Sequence, residues 1–224
     1  MQDNLLKDKI SFLIAAHNCE NIIEKTLKHI IIEAQKNKNI DFEIVIIDDG
    51  SDDNTYKKLE IMSNLSKKIK IFSNKKNLGF CKTIFNALKK STGNYIKLMH
   101  CADYKNTNLS EFINNYNKYD ILLVDLKDNR PFFRKYLSIT CNIIFRLITL
   151  KKIKYFSSAL MCKKILFKKY FIKDNYGSFF LSLIISKLLL DGHTYKEIIV
   201  KGNQGNKNLK LKSKAITNAN LKSL

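Results

Sequence analysis

FEIVIIDDGSDDNT, Phe42 to Thr55, changes character halfway along. Phe42–Asp48 is a short, nearly continuous apolar run, the mark of a strand buried on both faces, as in a parallel sheet. Asp49-Gly50-Ser51 is turn chemistry, and Ser51 or Asp52 would cap a helix over Asp52–Ser66. Upstream, Ile10–Ala16 (ISFLIAA) is a second apolar run. Asn21–Lys36 follows it, with Ile22, Ile23, Leu27, Ile30, Ile31 and Ala34 at helical spacing. Downstream, strands at Ile69–Ser73, Tyr95–Met99 and Asp120–Val124 alternate with helices at Phe80–Lys90 and Leu109–Tyr116, the latter after Asn106-Thr107-Asn108. This alternation predicts an α/β class: a mostly parallel twisted sheet flanked by helices, in a single domain.

After Asp125 the alternation stops. Asn129–Lys154 is basic and apolar together, with Arg130, Arg134, Lys135, Arg146, Lys151, Lys152 and Lys154 among Phe132, Phe133, Leu137, Ile143, Ile144, Phe145 and Leu147. Two readings stand: an amphipathic helix lying in a membrane interface, or a helix packed on the sheet with its basic side chains reaching outward. Its most apolar part, Leu137–Leu150, is too short to span a bilayer and contains Arg146. Ser178–Leu190 reads as an apolar helix closed by Gly192, Tyr195–Val200 as a last strand, and the rest as a polar tail. The expected organisation is an α/β half over 1–125, a helical half of the same domain over 126–202, and a basic tail over 203–224.

The chain has 224 residues, enough for one domain with a sizeable core, and 45% hydrophobic residues exclude global disorder. Gly 7 and Pro 1 exclude collagen-like and linker-rich readings. Forty basic against twenty acidic residues give +20, which fits either an anionic partner or a solvated lysine-rich surface. Cys19, Cys81, Cys101, Cys141 and Cys162 form no CxxC, so neither a zinc site nor a disulfide framework is expected. With a polar Met1–Lys9 and no signal-peptide core, the expected location is the cytoplasm, with peripheral contact at the inner face of its membrane.

In an open α/β sheet, ligands bind beyond the carboxyl ends of the strands. The residues there are His17, Asn18, Cys19 and Glu20; Asp48, Asp49, Gly50 and Ser51; Asn77, Leu78 and Gly79; and His100, Cys101, Ala102 and Asp103. Any one turn could be a helix cap. Several polar turns along one edge point to a site. No GxGxxG follows the first strand and no GxxxxGKS/T occurs, which argues against dinucleotide oxidoreductases and P-loop NTPases. A nucleotide held here would need a divalent ion for its phosphates and an acidic residue for its base or ribose. Nucleic acid is not an expected partner, because the strands read as apolar on both faces rather than as aromatic and basic platforms.

ISFLIAAHNCENI, FEIVIIDDGSDDNT and NLGFCKTIFNALKKSTGNYIKLM, taken in order, resemble the family 2 glycosyltransferases of GT-A fold. The resemblance runs from Lys9 to Asp103. It rests on a first strand followed by a polar turn, the Asp-Asp-Gly-Ser segment, Asn-Leu-Gly and Gly-Asn-Tyr. The second half is similar, more faintly, to the branch that transfers sugars to polyprenyl or dolichyl phosphate, through YDILLVD, the basic helix, Ser157-Ser158-Ala159 and Gly192-His193-Thr194.

The resemblance implies a metal-assisted, inverting glycosyltransferase. It would move a sugar from a nucleotide-diphosphate sugar to an acceptor at the membrane surface, a lipid phosphate or a cell-surface glycan precursor. Ala15, His17, Asn18, Glu20, Asp48, Asp49, Asn77 and Gly79 would form the nucleotide-sugar pocket, Asp49 binding base or ribose while Asp48 ends the strand and caps the turn. Where the family has Asp-x-Asp this chain has His100-Cys101-Ala102-Asp103, so His100 and Asp103 would carry catalysis through Mn²⁺ or Mg²⁺, the imidazole favouring Mn²⁺. The alternative is a catalytically degenerate relative that binds nucleotide or a partner without turnover. The acceptor base that the family places near the start of its late helix is missing from Tyr176–Leu181; Asp174, Asp125 and Asp191 are the nearest carboxylates. A hydroxyl acceptor needs such a base, whereas a phosphate acceptor is already an anion.

Overall fold

The computed structural model describes residues 7–101, 108–126, 132–154, 156, 159–171, 177 and 179–200. Asp103, Asp174, Ser157, Ser158, Arg130 and the 203–224 tail lie outside the described residues.

Seven strands form one sheet: β1 (Asp8–Ala16), β2 (Ile40–Asp48), β3 (Ile69–Ser73), β4 (Tyr95–His100), β5 (Ile121–Leu126), β6 (Leu160–Lys163) and β7 (Tyr195–Val200). Their order is β3-β2-β1-β4-β6-β5-β7. β1 pairs in parallel with β2 and β4, β2 with β3, and β5 with β7, while β6 runs antiparallel between β4 and β5. The chain winds outward from β1 to β3, then returns to start β4 on the other side of β1. That reversal is a topological switch point, where the loops diverge and leave a crevice.

The sheet is sandwiched. Period-two alternation sends Phe12, Ile14, Ile44, Ile46 and Met99 to one face, beneath α1 (Ile23–Gln35), α2 (Thr55–Leu65) and α4 (Leu109–Asn115). Leu13, Val45, Ile47, Ile96 and Leu98 go to the other, beneath α3 (Phe80–Lys90), α6 (Lys164–Tyr170) and α7 (Phe180–Leu190). α5 (Phe132–Thr149) packs on α7, with Phe145 partly buried against that second core. Among the described residues no helix is long and apolar enough to cross a membrane.

Several expected elements move. α2 starts at Thr55 rather than Asp52, and its N-cap position, Asn54, makes no side-chain capping bond. The basic helix occupies Phe132–Thr149, shorter than the 129–154 stretch, and ends at Leu150 in a left-handed conformation (φ 54). β6 and α6 were not anticipated from sequence. Gly192 does close α7: at φ 82 its amide bonds Leu189 O and the His193 amide bonds Leu188 O.

Candidate functional site

The register aligns four strand ends. Ala15 lies opposite His100, Ala16 opposite Asp48, and Asp48 opposite Ser73. The loops that follow therefore share one rim, at the switch point.

The β1 and β2 loops are laced together. Asn18, at φ 47, donates its amide to Ser51 Oγ (3.0 Å) and accepts from the Asp52 amide at Oδ1 (2.9 Å). The Cys19 amide bonds Thr55 Oγ1 (2.8 Å), and Glu20 Oε2 accepts from the Asn54 amide (2.9 Å) and Asn54 Nδ2 (3.0 Å). These bonds hold the amino end of α2 against the β1 loop and explain its late start. Asp48 ends β2 and accepts from the Ser51 amide and hydroxyl, turning the chain tightly.

Asp49 faces inward. It is 3% exposed. Its carboxylate accepts from Asn74 Nδ2 (2.8 Å), the Leu78 amide (2.9 Å) and the Gly79 amide (3.0 Å). It thus clamps the β3–α3 loop, which Asn77 tightens by accepting from the Gly79 amide at 2.9 Å. Gly50 permits the approach: at φ +65, an added Cβ would lie 2.7 Å from both Asn77 N and Lys76 C.

The β4 end joins the same rim. Cys101 O accepts from Thr26 Oγ1 at 2.5 Å, and the Cys19 thiol is pushed up, first by its hydrogen bond to Cys101 and then by burial. His100 is exposed, its ring stacked on Phe80 at 4.4 Å, and Phe80 in turn contacts Phe180 at 5.8 Å. Phe80, Asp53, Thr55 and Asn74 are not singled out by the sequence, since each acts through a neighbour that only the fold supplies. His17 sits part-buried; its Nδ1 is buried with no hydrogen-bond partner among the described residues. Ala15 is also part-buried.

Among the described residues no three His, Cys, Asp or Glu side chains converge as a metal cluster. Of the two expected ligands, His100 is described and Asp103 lies outside the described residues. Asp125 is buried and paired with Lys154 Nζ (2.6 Å), and Asp191 is paired with Lys169 Nζ (3.0 Å). Asp191 lies between α7 and the start of β7, at the amino end of the sheet and away from the rim.

A cavity of about 630 Å³ opens elsewhere, lined by Asp8, Asn94, Tyr95, Lys163, Lys164 and Lys168 among others. It lies at the amino ends of β1 and β4, opposite the rim. No topological reversal or loop crossing gathers there, so the rim is the better candidate.

Residues 11–124, just over half of the chain, match the family model described as Glycosyl transferase family 2. The chain belongs to that family, and its sheet and helices form the GT-A fold. An uncharacterized glycosyltransferase of Haemophilus influenzae is 36% identical over 107 residues, which are 48% of this chain and 32% of that protein. The chain thus spans about a third of that relative's length. S. aureus TarS, residues 1–349, matches with a TM-score of 0.60 at 18% identity, covering 87% of this chain and 60% of that one. Glucosyl-3-phosphoglycerate synthase of Mycobacterium tuberculosis, in complex with Mn²⁺, UDP and glucosyl-3-phosphoglycerate, matches with a TM-score of 0.63 at 14% identity, covering 92% and 76%.

Proposed function

We propose that this chain binds a nucleotide-diphosphate sugar at the carboxyl rim of β1, β2 and β4 and transfers the sugar, with inversion, to an acceptor at a membrane surface. The observation that carries the proposal is the shared rim: β1, β2 and β4 end in register at the switch point, the β1 and β2 loops are bonded to each other, and Thr26 of α1 is bonded to the end of β4 at Cys101 O. Ala15, His17, Asn18 and Glu20 would line the nucleotide pocket on the β1 side. Asp48 and Asp49 shape the opposite wall, together with Asn77 and Gly79 on the clamped loop. The Nδ1 of His17, without a partner among the described residues, is a polar atom at this rim that a ligand or a turned ring could satisfy.

His100 and Asp103 would hold Mn²⁺ or Mg²⁺. That ion would neutralise the departing diphosphate, as Mn²⁺ accompanies UDP in the mycobacterial synthase. A phosphate-bearing acceptor, such as a lipid phosphate, suits a rim where Asp125 is buried and paired with Lys154, because it brings its own anionic nucleophile. The work would be done at the cytoplasmic face of a membrane during assembly of surface glycans.

The second reading, nucleotide binding without turnover, is favoured by the imidazole that stands where the family carries a carboxylate. A panel of UDP-, GDP- and dTDP-sugars with Mn²⁺, followed by thermal shift and by release of nucleotide, separates the two. Ion-dependent stabilisation and turnover are expected with one donor class. Ion-independent stabilisation with no turnover across the panel would establish the second reading, and no response to any nucleotide would overturn both.

A further inference from the structure

α5 does not finish its packing. Its inner side is pinned: Asn142 bonds Lys154 O and the Phe156 amide (both 3.1 Å), Arg146 Nε bonds Ile153 O (2.6 Å), and Phe145 stacks on Phe156 at 5.4 Å. Its outer side is aliphatic. Ile139, Ile143, Ile144, Leu147 and Ile148 are 45–71% exposed, and Leu150 just beyond the helix is 87% exposed. At about 100° per residue these five fall within one half-turn of the helix, where Thr140 is the one polar side chain among them. Six large aliphatics in one band exceed the scattered exposure expected of an ordinary surface.

The band has a charged border of one sign. Asn129–Lys154 contains no Asp or Glu, and Lys151 and Lys152 follow Leu150 on the exposed side. Its place in the fold also matters. β5 leaves the sheet at the carboxyl edge and β6 re-enters there, with Leu160 opposite Leu123. α5 thus departs from and returns to the rim assigned to the donor, and Lys154, on the return segment, is tied to Asp125 at the end of β5.

We infer that the outer face of α5 docks in the plane of an anionic lipid surface, the aliphatic band among the acyl chains and Lys151 and Lys152 at the headgroups. This deepens the proposed function and rests on it for the meaning of the position: a helix seated this way would bring the rim to lipid-borne acceptors. Charge selects the occupant. A second copy of this chain would set two basic borders against each other, whereas an anionic bilayer satisfies both the apolar band and its border.

The test is flotation of the full chain with phosphatidylcholine vesicles, with and without phosphatidylglycerol. Binding is expected with the anionic vesicles and is weak without them. Ile143→Ser with Leu147→Ser should lower the partition coefficient roughly tenfold or more, since both side chains would leave the acyl region. Lys151→Glu with Lys152→Glu should remove the preference for anionic lipid, by about fivefold per lysine. All four side chains are exposed, so thermal unfolding of the free variants should not change. Absence of binding to anionic vesicles, or unchanged binding by the serine variant, would overturn the inference. So would a wild-type dimer in solution that the serine variant dissolves and that floats with neither vesicle. UDP and GDP binding with Mn²⁺, measured in parallel without lipid, reports on the donor site alone, so failure of one does not masquerade as failure of the other.

Discussion

The two ends of the sheet each bury a carboxylate, and they use it differently. At the amino end, Glu43 of β2 is 2% exposed and closed on all sides. It accepts from Ser11 Oγ (2.7 Å), Thr92 Oγ1 (2.9 Å) and Lys70 Nζ (2.7 Å), and from the Thr92 and Gly93 amides. These contacts join β1, β2, β3 and the turn before β4 into one lock. At the carboxyl end, Asp49 is almost as buried and as well bonded, but what it holds is a loop whose outer side forms the candidate site. Burial and saturation therefore do not distinguish the two carboxylates. What the group positions, and at which end of the sheet, does.

Two glycines repeat the contrast and provide the largest expected effect. A Cβ on Gly93 would meet Lys9 O at 2.5 Å and Ser11 Oγ at 2.6 Å, while one on Gly50 would meet the Lys76–Asn77 backbone and also be strained by the positive φ of that position. Gly50→Ala should cost about 2–4 kcal/mol of stability and reduce nucleotide affinity as well. Gly93→Ala should destabilise while leaving affinity in the surviving folded protein unchanged. Denaturant melts paired with nucleotide titration read both, and equal loss of affinity in the two variants would erase the distinction between the ends.

Glu43 sharpens it through pH. Burial pushes its carboxyl up, but the Lys70 ammonium, the Thr92 amide and the Ser11 hydroxyl together outweigh that and hold it at about 2, against the ordinary 4.5. Its folded value is depressed, so the stability it contributes is complete above pH 4.5 and is lost as pH falls from there towards 2. Glu43→Gln should cost roughly 2–3 kcal/mol at neutral pH and flatten the acid limb of the stability curve. Unchanged acid sensitivity in the variant would show that other carboxylates dominate.

Asp49→Asn is the mildest change. The carboxamide keeps the shape but turns a donor towards the Leu78 or Gly79 amide, for about 1–2 kcal/mol of local cost. Its main effect should be a loosened β3–α3 loop and weaker nucleotide binding, seen by calorimetry. Full affinity would mean that the clamp is not needed for the site.

Much of this architecture is legible in the sequence. The apolar runs at Ile10–Ala16 and Phe42–Asp48 and the helical spacing of Phe80–Lys90 gave the parallel half, because burial on both faces leaves a continuous pattern. β6, Leu-Met-Cys-Lys, is not legible: four residues are too few for a period, and its antiparallel place between β4 and β5 is a tertiary fact. Within the site, the polar turns were visible as types but not as partners. The sequence offers Asp49 as a ligand-facing acid, whereas the fold fills its oxygens with the 74–79 loop. Glu43 reads as one residue of a strand, since its partners lie 27 to 50 positions away. The sequence offers His100 as a metal ligand; its stacking on Phe80 is visible only once α3 is laid beside β4.

The most direct measurement is amide hydrogen exchange with and without UDP or GDP and Mn²⁺. The account predicts slowed exchange in peptides covering 17–20, 49–55 and 77–79, with peptides at 91–95 and 163–168 unchanged. Protection confined to the amino-end peptides, beside the lysine-lined cavity, would contradict it and move the nucleotide to the other end of the sheet.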